Sequence, residues 1–510
     1  MERLPLSVQD FRALRQEGRV YIDKTQFIHQ MVDAGKYYFL SRPRRFGKTL
    51  LVSTLTELFQ GSQELFQGLW IANRWDWQQK YPVIKLVFNK ASYKQTGLEA
   101  YISKMLAKEA GKFSIVLDQG THADQLKQFI EALAARHGKV VVLVDEYDKP
   151  IIDYLHDVPA AEQNREILKN FYSVLNPLEA HLKFVFMTGV SKFSRVSIFS
   201  ELNNLIDLTM HPRFATLLGY TQRELEAGFS GHIHELAPSH GGREALLQQI
   251  TRWYNGYSWN GRDKVYNPWS VLNFLHTGIF RNFWFESGTP TFLIKLLNKA
   301  QQYQLSRVQA TEASMSSFEL GNVAPFTLLF QTGYLTILTQ ETDGVYTLGY
   351  PNNEVRRSLL QYLLAEAVHG QAETLPVHAV TMKNALQQQN PQAFVEALNA
   401  LFASIPYQIM VETKEAYYHT VLYLALSLMG TYIQAEPSQA IGRPDCVAFV
   451  HDAVYIIEIK IDSSAIAAME QIKTKNYAAP YTNQNKTTYA LALNINTTLK
   501  AVNDWLVEAV

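Results

Sequence analysis

The feature that most constrains this sequence is the segment YYFLSRPRRFGKTLLVSTLTELF, residues 37–59, which has the pattern of a strand, a short basic loop and a helix. The loop ends in Gly47, Lys48 and Thr49. A bound phosphate needs backbone N–H groups at a helix N-terminus, a lysine ammonium for its β and γ oxygens, and a hydroxyl for Mg²⁺. The order of these residues therefore predicts a phosphate-binding loop (P-loop), although Arg42 stands where the general pattern has glycine.

A second apolar run, VVVLVDEYD, strengthens this prediction because it has the pattern of a buried parallel strand and ends in Asp145 and Glu146. In P-loop hydrolases the aspartate holds Mg²⁺ and the adjacent glutamate polarises the attacking water. A further run, KFVFMTG, ends near Thr188, whose hydroxyl is a candidate to orient that water. Taken alone, Gly-Lys-Thr also fits a plain helix start and Asp-Glu an ordinary helix cap. The chain order and the strand context favour the nucleotide site.

Several segments resemble the AAA-ATPase-like family of bacterial proteins: VYIDKT, SRPRRFGKT, DEYDKP, TGVSKFS, WYNGYSW and VYNPWS. That family typically carries arginine where the first glycine of the loop would stand, as Arg42 does here. The resemblance implies that Lys48 and Thr49 bind phosphate and Mg²⁺, and that the first two residues of DEYDKP form the Walker B pair. ATP is therefore the expected nucleotide.

The loop is unusually basic, with Arg42, Arg44 and Arg45 within four positions. Such a concentration of charge suits a nucleoside triphosphate and also an acidic partner. Arg195 and Arg213 follow later, and each is either a source of positive charge for the transition state or a surface residue. The residues expected to bind ATP and its Mg²⁺ are Arg45, Gly47, Lys48, Thr49, Asp145 and Thr188.

Near the C-terminus the sequence contains Pro444-Asp445 and, after twelve intervening residues, Glu458-Ile459-Lys460. Alternate side chains of a strand share a face, so Glu458 and Lys460 point together while the isoleucines around them point into a core. Asp445, at the mouth of an adjacent strand, and Glu458 can then share a cation with the Ile459 carbonyl and water. Oxygen ligands of this kind suit Mg²⁺ or Mn²⁺. Lys460 would orient or help to deprotonate the attacking water.

Two helix-like runs add candidates to this site. Gln471 and Lys475 lie one helical turn apart, and Glu415 and His419 share a helix face before the strands. Gln471 is predicted to be catalytic, and Glu415 to bind the metal or support a ligand. Pro-Asp followed by Glu-x-Lys is the signature of the PD-(D/E)xK nuclease superfamily, and the AAA-ATPase-like family commonly carries such a domain at its C-terminus. A bare Glu-x-Lys would instead fit an amphipathic strand with a surface ion pair.

Domain boundaries follow from changes of pattern along the 510 residues, which are too many for one ordinary core. The predicted class is α/β. Residues 1–219 alternate apolar runs with helical segments, which is typical of a mostly parallel sheet and here indicates an AAA-type P-loop domain. A capping box in TQRE begins a helical lid, 220–290, and a mostly helical connector, 291–385, follows. A smaller nuclease-like α/β domain, 386–510, ends the chain.

Composition limits the partners that the chain can have. Lysine plus arginine and aspartate plus glutamate both total 47, and the sequence pI is about 7.3, so no global field attracts nucleic acid. A nucleic-acid contact then requires a local basic patch. Cys446 is the single cysteine, which excludes a disulfide framework and a thiolate metal cluster. Because no apolar signal core or bilayer-length run is present, we expect a soluble cytoplasmic protein without a membrane partner.

Three functions are compatible with these features. The first is an ATP-regulated, metal-dependent nuclease, with DNA favoured over RNA by the superfamily resemblance. The second is a nucleotide-dependent switch or scaffold whose nuclease-like domain only binds nucleic acid or protein, which the neutral net charge favours. The third is a nucleoside triphosphatase without a nucleic-acid role. Homo-oligomerisation is compatible with each, and the intact set of Asp445, Glu458 and Lys460 favours the first.

Overall fold

A computed structural model describes residues 2–88, 93–192, 202, 204–285, 291–300, 302–316, 324–341, 344–370, 374–405, 415–429, 432–435, 444–450, 452–481 and 486–510. Of residues 291, 299, 316, 415, 416 and 432–435 it describes the backbone alone. The chain divides into two compact units. The first is Met1–Phe292 with Leu305–Val355, and the second is Leu293–Gln304 with Arg356–Val510.

A parallel sheet forms the centre of the first unit. Its strands are β1 (Tyr37–Ser41), β2 (Val83–Val87), β3 (Val140–Asp145), β4 (Leu182–Gly189) and β5 (Ile206–Asp207). Among the described residues their order is β2-β3-β4-β1-β5, and every pairing is parallel. Strands β1 and β3 are buried over their whole length, as expected of apolar strands covered on both faces. The predicted apolar runs therefore form the predicted sheet, and the α/β class is confirmed.

Helices precede, separate and follow these strands. They are α1 (Phe11–Gln16), α2 (Thr25–Ala34), α3 (Lys48–Gln60), α4 (Tyr93–Thr96), α5 (Leu98–Gly111), α6 (His122–His137), α7 (Lys149–Ile152), α8 (Val158–Ser173), α9 (Gln222–Gly228), α10 (Ser230–Leu236), α11 (Arg243–Tyr254) and α12 (Pro268–Thr277). Short 3₁₀ helices span Gln63–Phe66, Glu179–His181, Pro212–Phe214 and Ala237–His240. In the described parts of the chain, none of the helices combines the length and hydropathy that a membrane span requires.

The helical segment after the sheet begins with the predicted capping box. The Thr221 side chain accepts a hydrogen bond from the Glu224 backbone N–H, and the Glu224 carboxylate accepts one from the Thr221 N–H. The same carboxylate accepts a hydrogen bond from Lys24 Nζ at 2.7 Å, which joins the N-terminal segment to α9. Helices α9 to α12 then share an apolar core that includes Phe229 and Ile250.

The region predicted to be a mostly helical connector, 291–385, contains strands as well as helices. Strands β6 (Val308–Thr311), β7 (Thr336–Gln340) and β8 (Val345–Gly349) form an antiparallel sheet in the order β6-β8-β7. The helices are α13 (Thr291–Lys299), α14 (Glu312–Ser316), α15 (Pro325–Thr332), α16 (Asn353–Val368) and α17 (Leu375–Gln387). Strands of four or five residues are too short for an alternating pattern to stand out in the sequence. The four-part division of the chain stays a prediction. Its third part, 291–385, is corrected from mostly helical to a mixture of helices and short strands.

The second unit contains a mixed sheet. Its strands are β9 (Tyr432–Ala435), β10 (Cys446–Val450), β11 (Ala453–Ile461), β12 (Thr487–Asn496) and β13 (Ala501–Ala509), and its later helices are α18 (Pro391–Ala403), α19 (Glu415–Leu428) and α20 (Ala465–Thr474). Among the described residues the strand order is β13-β12-β11-β10-β9, with β11 and β12 parallel and the other pairs antiparallel. Helix α20 covers β11 and β12 through an apolar core that includes Ile456 and Ile472.

Gly256 has a left-handed backbone conformation, with φ +105°, and no room for a side chain. A Cβ atom there would lie 2.0 Å from the Pro351 carbonyl oxygen. We therefore expect Gly256→Ala to lower the thermal unfolding midpoint strongly. Gly242→Ala is the matched control, because Gly242 has φ +101° and no atom within 4 Å of its Cβ position. The control should cost only the backbone strain of about 1–3 kcal/mol. Equal midpoints for the two variants would contradict the close approach at Gly256.

Candidate functional sites

The predicted P-loop forms the turn between β1 and α3. Gly47 has φ +94°, a conformation that glycine adopts without steric cost, and α3 begins at Lys48. The buried Lys48 ammonium donates to the carbonyl oxygens of Arg42 and Pro43, at 2.8 and 2.9 Å. Burial lowers the pKa of Lys48, and the carboxylates that follow β3 oppose this shift. A helix N-terminus and a lysine therefore meet where the sequence predicts a phosphate site.

Thr49 and Asp145 meet beside this loop. Thr49 Oγ1 donates a hydrogen bond to Asp145 Oδ2 at 2.8 Å. Asp145 is 1% exposed, and its Oδ1 has no hydrogen-bond partner among the residues that the structure describes. Burial raises the pKa of Asp145, and the Thr49 hydroxyl opposes the shift. A hydroxyl next to a buried carboxylate oxygen without a partner is a donor set that fits Mg²⁺.

A cleft with a volume of about 370 Å³ lies against the loop, and we call it the nucleotide cleft. Its walls include the cations of Arg44, Arg45, Lys48 and Lys149 and the carboxylate of Glu146. Glu146 has φ +56°, a left-handed conformation that is uncommon for a residue with a side chain and is concentrated at functional sites. The size and positive charge of the cleft suit the phosphates of a nucleotide.

Thr188, which the sequence predicts to orient the attacking water, is engaged elsewhere. It pairs with Leu40 in the parallel sheet, and its buried hydroxyl donates to the Leu40 carbonyl oxygen at 2.9 Å. It is not among the described residues that line the nucleotide cleft, so this geometry does not support its predicted role. Arg213 is exposed and also absent from the described lining, and Arg195 lies outside the described residues.

Asp148 is a further candidate residue of the nucleotide site, and the sequence patterns do not identify it. It is 1% exposed, and its Oδ2 accepts hydrogen bonds from the Val190 N–H, the Ser191 N–H and the Ser191 hydroxyl at 2.9, 2.6 and 2.8 Å. Burial raises the pKa of Asp148, and the bonds from Ser191 oppose this. The carboxylate thereby holds the segment after β4 against the segment after β3. The second aspartate of DEYDKP is the only sequence signal for it, and its partners depend on the adjacency of β3 and β4.

Arg42 does not add charge to the nucleotide cleft, contrary to the expectation from the basic loop. Its side chain is fully buried, and the guanidinium donates to the carbonyl oxygens of Ser41, Thr209 and Phe214 at 2.8, 2.8 and 3.3 Å. It also lies over the ring of Trp259, 3.9 Å from the ring centre. Burial lowers the pKa of Arg42 to about 9. Because carbonyl oxygens and an aromatic face surround it, Arg42 stabilises the loop and does not face a phosphate.

Two further tryptophans contact the same loop. The Arg45 guanidinium lies 4.5 Å from the centre of the Trp269 ring. The Trp284 indole N–H donates to the Arg44 carbonyl oxygen at 3.1 Å. Arg45 has φ +70°, so the loop backbone is left-handed at this position too. Both arginines are exposed and line the nucleotide cleft, where their side chains can reach a phosphate.

A second set of polar residues converges in the second unit, where β10 begins beside β11. The Asp445 backbone N–H donates to Glu458 Oε2 at 3.4 Å, and Asp445 Oδ2 accepts a hydrogen bond from the Ile459 N–H at 2.7 Å. Lys460 Nζ donates to Glu458 Oε1 at 3.3 Å and to Gln471 Oε1 at 2.7 Å. The structure thus brings together the four side chains that the spacing Pro-Asp, Glu-x-Lys and a following glutamine predicts to meet.

Glu458 is a buried carboxylate, 1% exposed. Burial and, next, the negative charge of Asp445 raise its pKa to about 7, while Lys460 opposes the shift. Two adjacent carboxylates repel each other, and a divalent cation relieves the repulsion. In the described part of the chain, no three side chains of histidine, cysteine, aspartate and glutamate are grouped as a metal site. A cation here would need Asp445 and Glu458 together with backbone and water oxygens, and Mg²⁺ accepts that combination.

Two further side chains lie beside this set. His419 Nδ1 on α19 is 3.5 Å from Asp445 Oδ1, and the buried Tyr477 hydroxyl is 3.4 Å from Gln471 Nε2. The sequence identifies His419 only as a helix neighbour of Glu415, because its contact with Asp445 depends on how α19 packs against the sheet. It gives no signal for Tyr477, which lies just after α20, six positions from Gln471. The side chain of Glu415, a predicted metal ligand, lies outside the described residues.

Comparison with known proteins gives two family matches and one full-length relative. The family profile described as predicted AAA-ATPase matches residues 5–199. The profile of the PD-(D/E)XK nuclease superfamily matches residues 413–505. A protein of Azotobacter chroococcum mcd 1, described as an uncharacterized protein in the vnfD 5' region, is 36% identical over 522 aligned positions, which cover 100% of this chain and 99% of the relative.

Solved structures of two Aeropyrum pernix proteins are also similar to this chain. The structure of ORC2 in its ADPNP-ADP complexes has 12% identity and a TM-score of 0.31, covering 81% of this chain and 85% of that one. The structure of ORC1 in complex with DNA has 10% identity and a TM-score of 0.27, covering 66% of this chain and 91% of that one. At these identities and scores, no function is inferred from either structure.

We expect Lys48→Ala to weaken ATP binding about tenfold or more, because it removes a charged hydrogen-bond donor to the phosphates. Glu146→Gln should bind ATP and lose hydrolysis, because the amide keeps the shape of the side chain but cannot accept a proton. Titration of a fluorescent ATP analogue measures binding, and phosphate release measures hydrolysis. Lys104→Ala, which removes an exposed lysine of the same unit, is the control. If Lys48→Ala and Glu146→Gln both match it, the nucleotide site is wrongly assigned.

We expect Mn²⁺ binding in the second unit to weaken as the pH falls through about 7, because the pKa of Glu458 is raised to about 7. Above that pH the carboxylate is ionised and can hold a cation, and below it a proton competes. Calorimetric titrations from about one pH unit above this value to one below test the prediction. The same titrations of Glu458→Gln serve as the reference. Subtracting its Mn²⁺ binding from that of the wild type removes the contribution of any cation bound at the nucleotide site. A difference that does not change with pH would contradict the assignment.

Proposed function

Because the chain belongs to the AAA-ATPase-like family and carries a C-terminal domain of the PD-(D/E)XK nuclease superfamily, we propose that it hydrolyses ATP and cleaves DNA, and that nucleotide state regulates the cleavage. The observation that carries the proposal is the convergence of Asp445, Glu458 and Lys460 in the second unit. An ordinary surface ion pair would not include a carboxylate that is both buried and adjacent to a second one, since burying charge is costly.

In the first unit, Lys48 and the backbone N–H groups at the start of α3 would bind the phosphates of ATP. Thr49 and Asp145 would hold Mg²⁺, in keeping with the Asp145 oxygen that has no partner among the described residues. Arg45 would add positive charge from the wall of the nucleotide cleft. Glu146 would accept the proton of the attacking water.

In the second unit, Asp445 and Glu458 would hold Mg²⁺ or Mn²⁺. A bound cation of this kind lowers the pKa of a water ligand and polarises a phosphate oxygen. Lys460 would stabilise negative charge on the scissile phosphate. Gln471 fixes the position of the Lys460 ammonium by accepting its hydrogen bond at 2.7 Å, so that this charge is oriented before the substrate binds.

Helix α16 gives the proposed regulation a covalent route, because it begins in the first unit and ends in the second. Within the second unit, the Arg356 side chain of α16 and the Tyr417 hydroxyl of α19 each donate to a backbone carbonyl oxygen of the other helix at 3.1 Å. Helix α19 also carries His419, 3.5 Å from Asp445. A shift of α16 would therefore reach a carboxylate of the proposed nuclease site.

A second candidate function is a nucleotide-dependent switch or scaffold whose nuclease-like domain binds nucleic acid or protein without cleaving it. The equal totals of acidic and basic residues favour this alternative, because no excess of positive charge draws the chain to DNA. In both versions we propose a cytoplasmic protein that can self-associate. The reducing cytoplasm suits a chain whose only cysteine is Cys446.

The test is degradation of labelled DNA and RNA by the purified protein with Mg²⁺ or Mn²⁺, with and without ATP. We expect the wild type to cleave DNA and Asp445→Ala to retain only the background of contaminating nucleases. ATP should change the rate about 5- to 150-fold, for a coupling of about 1–3 kcal/mol, and Lys48→Ala should remove that change. Free Mg²⁺ is held constant against chelation by ATP.

The outcomes separate the parts of the proposal. Cleavage by the wild type that does not exceed that of Asp445→Ala rejects the nuclease and favours the switch or scaffold. Genuine cleavage that ATP changes neither in the wild type nor in Lys48→Ala rejects only the regulation, because the two sites would then act independently on one chain.

A further inference from the structure

Glu354 is a buried carboxylate near the start of α16, in the first unit, and neither proposed site includes it. Its side chain has 0% exposure. Its Oε1 accepts a hydrogen bond from the Trp284 backbone N–H at 2.8 Å, and its Oε2 accepts one from the Ser270 hydroxyl at 2.8 Å. A carboxylate in the interior is stable only where hydrogen bonds replace its hydration. These two bonds therefore join Trp284 and Ser270 firmly to the start of α16.

Each of these partners leads to the P-loop. The Trp284 indole N–H donates to the Arg44 carbonyl oxygen at 3.1 Å. Ser270 lies in the first turn of α12, directly after Trp269, whose ring is 4.5 Å from the Arg45 guanidinium. The Trp269 ring is also held in place by its own indole N–H, which donates to the carbonyl oxygen of residue 283 at 3.1 Å. Glu354 thus connects the two places at which the downstream segment contacts the arginines of the nucleotide cleft.

We infer that Glu354 is a positioning residue of the nucleotide site. Through Trp284 it fixes the carbonyl of Arg44, and through Ser270 it fixes the start of α12, where the Trp269 ring supports Arg45. The Lys48 ammonium is bound to the two loop carbonyls immediately before Arg44, so a displaced Arg44 also displaces the surroundings of Lys48. This inference rests on the proposed function of the cleft as a nucleotide site.

The two hydrogen bonds distinguish a positioning role from the mere presence of a charge. In Glu354→Gln the amide oxygen can accept from the Trp284 N–H while the amide N–H₂ donates to the Ser270 hydroxyl, which can also act as an acceptor. Both connections then survive without the negative charge. In Glu354→Ala both are lost, and two buried donors lose their acceptor. Trp284→Phe removes the indole donor to Arg44 and part of a buried ring that packs against Tyr334, and it leaves the backbone N–H that binds Glu354 in place.

The experiment uses the full-length protein and measures the Kd for ADP and for an ATP analogue, together with kcat and KM for ATP. We expect Glu354→Ala to raise the Kd about tenfold or more, Trp284→Phe to raise it less, and Glu354→Gln to stay within about threefold of wild type. The double variant that combines Glu354→Ala with Trp284→Phe should bind no more weakly than Glu354→Ala alone. Both changes break the same connection, which runs from Glu354 through Trp284 to Arg44. Glu366→Ala is the control, about three turns further along the same helix and half-buried.

Wild-type affinity in Glu354→Ala would overturn the inference, and so would equal losses in Glu354→Gln and Glu354→Ala, which would point to the charge alone. An equal loss in Glu366→Ala would overturn it as well, since any disturbance of α16 would then suffice. If Glu354→Ala does not fold, Ser270→Ala and Trp284→Phe replace it, and wild-type affinity in both would reject the inference. A wild-type protein that binds no nucleotide rejects the proposed function itself, whereas normal wild-type binding with an unchanged Glu354→Ala rejects only the role of Glu354.

Discussion

Parallel pairing of β1 and β3 with the strand between them, β4, is the constraint on which the nucleotide site depends. It brings the carboxyl ends of three strands from distant parts of the chain to one edge of the sheet, where ligands of α/β proteins bind. Thr49 and Asp145, which are 96 positions apart, form a hydrogen bond there. The strands are buried in the centre of the unit, so the groups at their ends occupy fixed positions before any ligand arrives.

The second constraint is electrostatic, because three arginines within four positions repel one another. The fold separates their roles. Arg42 is withdrawn into the interior, where backbone carbonyl oxygens and an aromatic face stabilise its charge. Arg44 and Arg45 remain at the cleft, one held through its carbonyl oxygen and the other through its guanidinium. The indole that binds Arg44 comes from a residue 240 positions away, so the shape of the loop depends on the segment that follows the sheet.

In the second unit the main constraint is that two carboxylates, those of Asp445 and Glu458, lie next to each other and are largely buried. Asp445 is held by the backbone N–H of residue 459, and its charge adds to the effect of burial on the pKa of Glu458. Lys460 offsets part of this repulsion and is itself held by Gln471. The proposed divalent cation would relieve this repulsion, as a proton does. In the proposed metal site, Glu458 would link metal affinity to pH.

Local patterns in the sequence determined the strand-loop-helix order of the P-loop, the carboxylates that end β3, and the shared face of Glu458 and Lys460. These features follow from the periods of strands and helices and from chain order, so a short window of residues contains them. Only the tertiary structure decided that Arg42 is buried, that Thr188 is bound to the neighbouring strand and that Asp148 holds the segment after β4. It also decided that Glu354 is connected to the loop through Trp284. The short strands of 308–349 belong to this second group as well. Each of these features depends on which distant segment packs against a given residue. The free energies of burial, strand pairing and charge repulsion that determine this packing arise only when the whole unit folds.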